Sequence, residues 1–151
     1  MQLNREACTC CEIAEADLAL ALATLDAQTD FPVAAGELSI VLMDEAPHCE
    51  LHQRFFGDPS PTDVITFPGD PEDDFAGEII INAEQALKVA ARYGQTPADE
   101  LALYLVHGWL HLAGLDDQSE MDRGAMREGE RALLWALKAA GTLPPFQFGR
   151  Q

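Results

Sequence analysis

His107 and His111 stand four residues apart in a stretch that is otherwise apolar, with Leu103, Leu105, Val106, Leu110 and Leu112 around them. On a helix this spacing stacks two imidazoles on one face, where they can share one transition-metal ion. Buried without partners they would be costly, and ligation satisfies them. Gly114 follows three residues later, where a chain can leave a helix through a left-handed turn. The return brings residue 116 or 117 back beside the rings, which makes Asp117 the candidate third ligand. Two nitrogens and one oxygen leave a fourth position for water, the form of a catalytic rather than structural zinc site. Asp116 reads either as a carboxylate that orients a ligand imidazole or as an ordinary turn or capping residue. Trp109 and Leu110 read as core or pocket wall.

Several elements must position this group. Residues 12–28 are rich in Ala and Leu and read as a helix, and a short helix or helical turn follows at 46–55. Glu37–Met43, Thr62–Phe67 and Gly77–Ile81 read as strands, the second stopping at Pro68 and followed by an acidic loop, Gly69–Asp74. Asn82 caps a helix over Ala83–Tyr93, with Gly94 just past its end. Thr96, with Pro97 and Asp99, opens the helix that carries the histidines. Ser119 opens the last helix, which ends at Gly141, and the tail 142–151 reads as irregular. The expected fold is α+β: a single domain over 1–151, with a small mixed sheet of three or more strands packed by about four to five helices and the metal site at the end of a helix.

The chain has 151 residues, of which 26 are acidic and 9 basic, for a formal net charge of −17. Such a balance argues against gripping duplex nucleic acid through a broad basic face and against a polybasic membrane surface. It leaves room for a local site, since one bound metal ion outweighs distant charge. No segment approaches the roughly 20 apolar residues of a membrane span, and no secretory leader is evident, so the cytoplasm is the expected compartment. Cys8, Cys10, Cys11 and Cys49 lack the spacing of a zinc or disulfide framework and read as free thiols. Arg123, Arg127 and Arg131 share a face of the last helix, expected to pair with Glu120, Glu128 and Glu130.

The spacing of the two histidines, the glycine and the third ligand is similar to that of metzincin-type zinc proteases. Those need a glutamate directly after the first histidine to activate water, and here that position is Gly108. A second resemblance covers more of the chain. His107–Asp117 reads HGWLHLAGLDD, Pro61–Pro68 reads PTDVITFP, Gly77–Asn82 reads GEIIIN ahead of Gln85-Ala86, and Met126-Arg127-Glu128 is followed by Glu130. In this order, over roughly residues 36–138, these segments resemble the YbeY family of bacterial single-strand-specific endoribonucleases linked to ribosomal RNA maturation. The family motifs look like HGxLHLxGxDH, PTDVLSFP, GDIxIS and MRxxE.

The resemblance implies a zinc-dependent hydrolase with His107, His111 and Asp117 as ligands, single-stranded RNA as substrate, and ribosomal RNA with a ribosomal partner as its setting. It places Thr62 and Asp63 near the cleft. Asp63 is then a candidate acceptor from a ligand histidine or from a substrate 2′-hydroxyl, against the plainer reading of a carboxylate that ties down the strand's start. Two positions depart from the family pattern. The third ligand is usually His and is here Asp117, which zinc accepts. The family's arginine six residues before the Thr of PTDV, expected to hold a phosphate, is here Phe56. Arg54 is the candidate to replace it if its segment is extended, but not if that segment is helical. The alternatives are a metalloprotease and a non-enzymatic ribosome-associated module that keeps the metal for stability. Oligomeric state is left open.

Overall fold

A computed structural model describes residues 1–149 of the chain. Four strands form one mixed sheet: β1 (Gln2–Asn4), β3 (Glu37–Met43), β4 (Val64–Asp70) and β5 (Phe75–Asn82), in the order β1-β3-β5-β4. The first three in that order run parallel and β4 is antiparallel to β5. Two further short strands, β2 (Cys11–Glu12) and β6 (Gln147–Phe148), pair antiparallel away from the sheet. The helices are α1 (Glu15–Asp26), α2 (Glu45–Phe56), α3 (Ala83–Tyr93), α4 (Pro97–Leu112) and α5 (Glu120–Ala140).

Strand alternation sorts the core. Leu38, Ile40, Leu42, Ile79 and Ile81 face the main core with α1, α3, α4 and α5. Val41, Ile65 and Ile80 point to the other face, where Met43, Leu51 and Phe67 cover them. Leu51 belongs to α2, so this helix packs on the opposite face of the sheet from α4. His48 of α2 is fully buried and its Nε2 donates to the Ile80 carbonyl at 3.0 Å. Burial pushes its pKa below the ordinary histidine value, so the ring is held neutral.

The side-chain caps form where their residue types indicate. Asn82, Thr96 and Ser119 accept from the backbone of Gln85, Asp99 and Asp122. Four expectations are corrected. β4 continues through Pro68 to Asp70, because β4 is an edge strand and a proline on its open side forfeits no ladder bond. The acidic segment is consequently part of a hairpin, closed by a 3-10 turn at Pro71–Asp73. The tail is also partly ordered: Phe146 is buried and β6 pairs with β2, so the first expected helix starts only at Glu15. Arg150 and Gln151 lie outside the described residues. β1 carries no strand signal in its three residues and was not expected. Among the described residues no helix is long and apolar enough to cross a membrane. All four cysteines are free; Cys8 and Cys10 lie close to Asp44, and Cys49 stands apart from them.

Candidate metal centre and cleft

α4 runs across β4 and β5 with Gly108 against the sheet. A Cβ there would stand 2.5 Å from Ile79 Cγ2 and 3.2 Å from Val64 Cγ2. This close approach turns the neighbouring His107, and His111 one turn on, toward the edge of the sheet at β4. The helix then ends in a Schellman motif: Leu115 N–H donates to the Leu110 carbonyl and Gly114 N–H to that of His111, both at 3.0 Å, with Gly114 at φ +103°. The chain folds back as the glycine spacing implied. It brings Asp117, not Asp116, to the histidines. The Asp116 carboxylate is exposed and accepts from the Asp117 N–H at 2.8 Å, so it shapes the turn that presents Asp117.

Both imidazoles are held by their Nδ1 atoms. His107 Nδ1 meets Glu130 Oε2 at 2.8 Å and His111 Nδ1 meets the Leu115 carbonyl at 3.1 Å. Carboxylate and carbonyl oxygens only accept, so each neutral ring carries its hydrogen on Nδ1 and leaves Nε2 bare. The two Nε2 atoms then face one another at 3.0 Å, with Asp117 Oδ2 at 3.4 Å from the first and 3.6 Å from the second. With both rings neutral, three acceptors converge without a donor among them, a repulsion that a metal ion, or a proton on one Nε2, relieves. Zinc bonds of roughly 2.0–2.2 Å in a tetrahedron set ligand atoms about 3.3–3.6 Å apart; the two histidine–aspartate separations fall within that range and the histidine pair is slightly closer. The donor set therefore fits a divalent transition metal, and His107, His111 and Asp117 form a group that could hold one.

Glu130 is the residue that sequence reasoning missed in this role. The sequence marks it only as the last residue of the MRxxE-like stretch and as an expected partner of the arginines; α5 crosses α4 where Gly129 is buried against Leu110, and this delivers the next side chain to His107. Burial disfavours the charged form of His107, but the Glu130 hydrogen bond, with Asp63 and Asp117 nearby, outweighs it and holds the pKa above the ordinary value. Carboxylate–imidazole pairs of this kind orient a metal ligand and raise its basicity. Glu130→Gln is expected to weaken zinc binding by about 10- to 100-fold. Competition with a chromophoric chelator measures this, and a change under twofold would show that the contact is incidental.

The arginine stripe does not pair with its acidic neighbours as expected. Glu130 is taken by His107, and Arg123 Nη1 donates instead to the Gln118 carbonyl at 3.2 Å and, at 3.5 Å, to that of Asp117. Among the described residues Arg127 and Arg131 form no ion pair.

A cleft of 290 Å³ opens in front of the trio. Its floor is the edge strand and its lead-in, Thr62 to Thr66, and α2 contributes His52 and Phe56. Asn82 secures the lead-in: its N–H donates to the Asp63 carbonyl and its side-chain amide to that of Thr62. Asp63 lines the cleft, and its carboxylate accepts from its neighbours, Val64 N–H at 3.0 Å and the Thr62 hydroxyl at 3.3 Å. Arg54 is not part of the cleft. Its segment is helical, so the α2 face that presents His52 and Phe56 turns Arg54 away into solvent.

The α+β architecture and a His–His–Asp group that could hold a metal ion, at the C-terminal end of a helix, define a protein with a candidate metal cleft on the edge of a small mixed sheet. The family model described as Endoribonuclease YbeY matches residues 5–138, and the chain belongs to the YbeY family. It is 38 % identical over 123 residues to an Endoribonuclease YbeY of Protochlamydia amoebophila, covering 76 % of this chain and 82 % of that one. It is 40 % identical over 112 residues to the Endoribonuclease YbeY of Mycolicibacterium gilvum, covering 66 % and 63 %. The solution structure of a Thermotoga maritima protein shares the fold, with a TM-score of 0.59, 24 % identity and 93 % of each chain covered.

Proposed function

We propose that this protein is a metal-dependent endoribonuclease that cuts single-stranded RNA in ribosomal RNA maturation, in the cytoplasm, with zinc held by His107, His111 and Asp117. The observation that carries this reading is the convergence of three bare acceptor atoms, 3.0–3.6 Å apart, in an open cleft of a YbeY-family chain. When bound, the ion supplies Lewis acidity toward a phosphate oxygen and lowers the pKa of water. The chain supplies orientation. Glu130 and the Leu115 carbonyl fix the two imidazoles, and Asp116 and Arg123 fix the turn that offers Asp117. Asp63 lines the cleft beside the trio, and in this reading its carboxylate also accepts a hydrogen bond from a substrate 2′-hydroxyl, a contact that distinguishes RNA from DNA. With no lysine or arginine lining the cleft to hold a duplex backbone, a single strand is the substrate this reading assigns to it.

Elemental analysis of protein purified without chelator tests the proposal together with cleavage of a single-stranded oligoribonucleotide. One zinc equivalent per chain is expected, lost in Asp117→Ala, and cleavage is expected to stop with chelator and return with zinc. Metal-loaded protein that turns over no RNA and unfolds on metal removal would instead mark a ribosome-associated module with a structural ion.

A further inference from the structure

Beside the His–His–Asp trio the cleft wall from α2 is formed by the rings of His52 and Phe56, and the lining includes no lysine or arginine. Phe55 and Phe56, on the last turn of α2, are 55 % and 56 % exposed. Both rings are set by Phe67 of β4. Phe56 stacks on it with centroids 6.5 Å and planes 18° apart, and Phe55 meets it edge-on at 5.1 Å. His52 tilts against Phe56 at 5.6 Å. Phe67 is itself rooted in the Val41, Ile65 and Ile80 cluster. The exposed rings are therefore held by a fixed neighbour, and Phe56 and His52 share the cleft with His107, His111 and Asp117. Adjacent exposed phenylalanines forgo burial, and such a patch marks a binding surface more often than a scattered apolar residue does.

We propose that Phe56, backed by Phe67 and flanked by Phe55 and His52, is a stacking platform for a nucleobase of single-stranded RNA whose phosphodiester lies at the metal-binding trio. The inference rests on the nuclease reading and names how that site holds its substrate. Charge complementarity decides the occupant. A chain of net charge −17, with no cation lining the cleft, has little with which to attract a phosphate backbone at long range. A base presents an uncharged π-face that needs no such attraction. Every base has that face, so the platform selects little for sequence. Bases in a duplex are already stacked on their neighbours and cannot reach it, so it also selects for single strands.

The experiment pairs steady-state cleavage of a single-stranded oligoribonucleotide with binding of its non-cleavable 2′-O-methyl analogue, by zinc-loaded protein. Phe56→Ala and Phe56→Leu are expected to raise KM about tenfold with kcat within about twofold, and Phe56→Trp to restore KM, since stacking needs a ring. An abasic site in the 2′-O-methyl strand is expected to weaken binding to the wild-type protein by a similar factor and to change little in Phe56→Ala. Thermal melting monitors the fold, which an exposed side chain should leave intact. Unchanged KM in Phe56→Ala, with cleavage intact, overturns the platform and leaves the nuclease reading standing. Equal binding of abasic and base-bearing strands by the wild type also overturns it. Base-dependent binding that Phe56→Ala abolishes, in a wild-type protein that cleaves no RNA, keeps the platform and overturns the nuclease reading.

Discussion

His111→Ala is expected to abolish zinc binding at micromolar metal and to lower RNA cleavage at least about 10³-fold, about 4 kcal/mol of transition-state stabilisation. The size of the effect follows from geometry. His111 supplies one of three converging atoms, and with it gone only His107 Nε2 and Asp117 Oδ2 remain, 3.4 Å apart. Stability gives an independent readout. A metal that binds only the folded chain stabilises it by about 4 kcal/mol at a thousand times its Kd, roughly 10 °C in Tm for a chain of this size. Wild-type protein should show such a rise on zinc addition, and His111→Ala should not. Metal-free His111→Ala should melt no lower than metal-free wild type by more than the packing of a half-buried ring requires, because the substitution removes one of two facing acceptors. Retained cleavage without bound metal would sink the nuclease assignment and leave the fold untouched.

The parts of this site that were legible in sequence are those set within one helix and its exit. Residue spacing alone places His107 and His111 on one face, and a glycine three residues on implies the reversal that returns Asp117. Asn82, Thr96 and Ser119 announce helix starts through local chemistry, and all three cap as their types suggest. Contacts made across the fold were not legible. Glu130 reaches His107 over 23 residues of sequence; the MRxxE-like stretch singles it out from Glu128, but nothing in that stretch says which side chain it meets. The aromatic cluster joins α2 to β4 through a strand register that only the folded sheet defines. The end of β4 was misread because Pro68 stops a central strand but not an edge strand, and edge position is a property of topology. Arg54 depended on whether residues 45–56 were extended or helical, and the helix decided against it.

The acidic balance takes on a different meaning once the cleft is known. Near the trio the carboxylates have specific work: Asp117 faces two bare nitrogens, Glu130 holds one ring, Asp116 holds the turn and Asp63 lines the floor. A site of this composition suits a cation better than it suits an RNA backbone. Substrate capture then falls to short-range contacts, which salt screens little.

Gly108→Glu would complete the HExxH pattern of a zinc protease, and it is expected to unfold the protein rather than to create one. Residue 108 follows His107 by a single step of the helix, about 100° around its axis, and that step points at the sheet. A Cβ meets Ile79 Cγ2 at 2.5 Å, and Ile79 is wholly buried. Overpacking of this kind costs about 1–3 kcal/mol, and an unpartnered carboxylate in the same place adds at least about 2 kcal/mol more, together a large share of the roughly 5–15 kcal/mol that holds a domain folded. Gly108→Ala separates the two costs. Its helix propensity gain of about 1 kcal/mol offsets part of the overpacking, so a net loss of up to about 2 kcal/mol is expected, with zinc binding retained. Urea midpoints measure both variants. A stably folded Gly108→Glu protein that hydrolysed casein would mean that this position faces the metal after all; a collapsed midpoint with no proteolysis would show that the sheet occupies the space a protease gives to its general base.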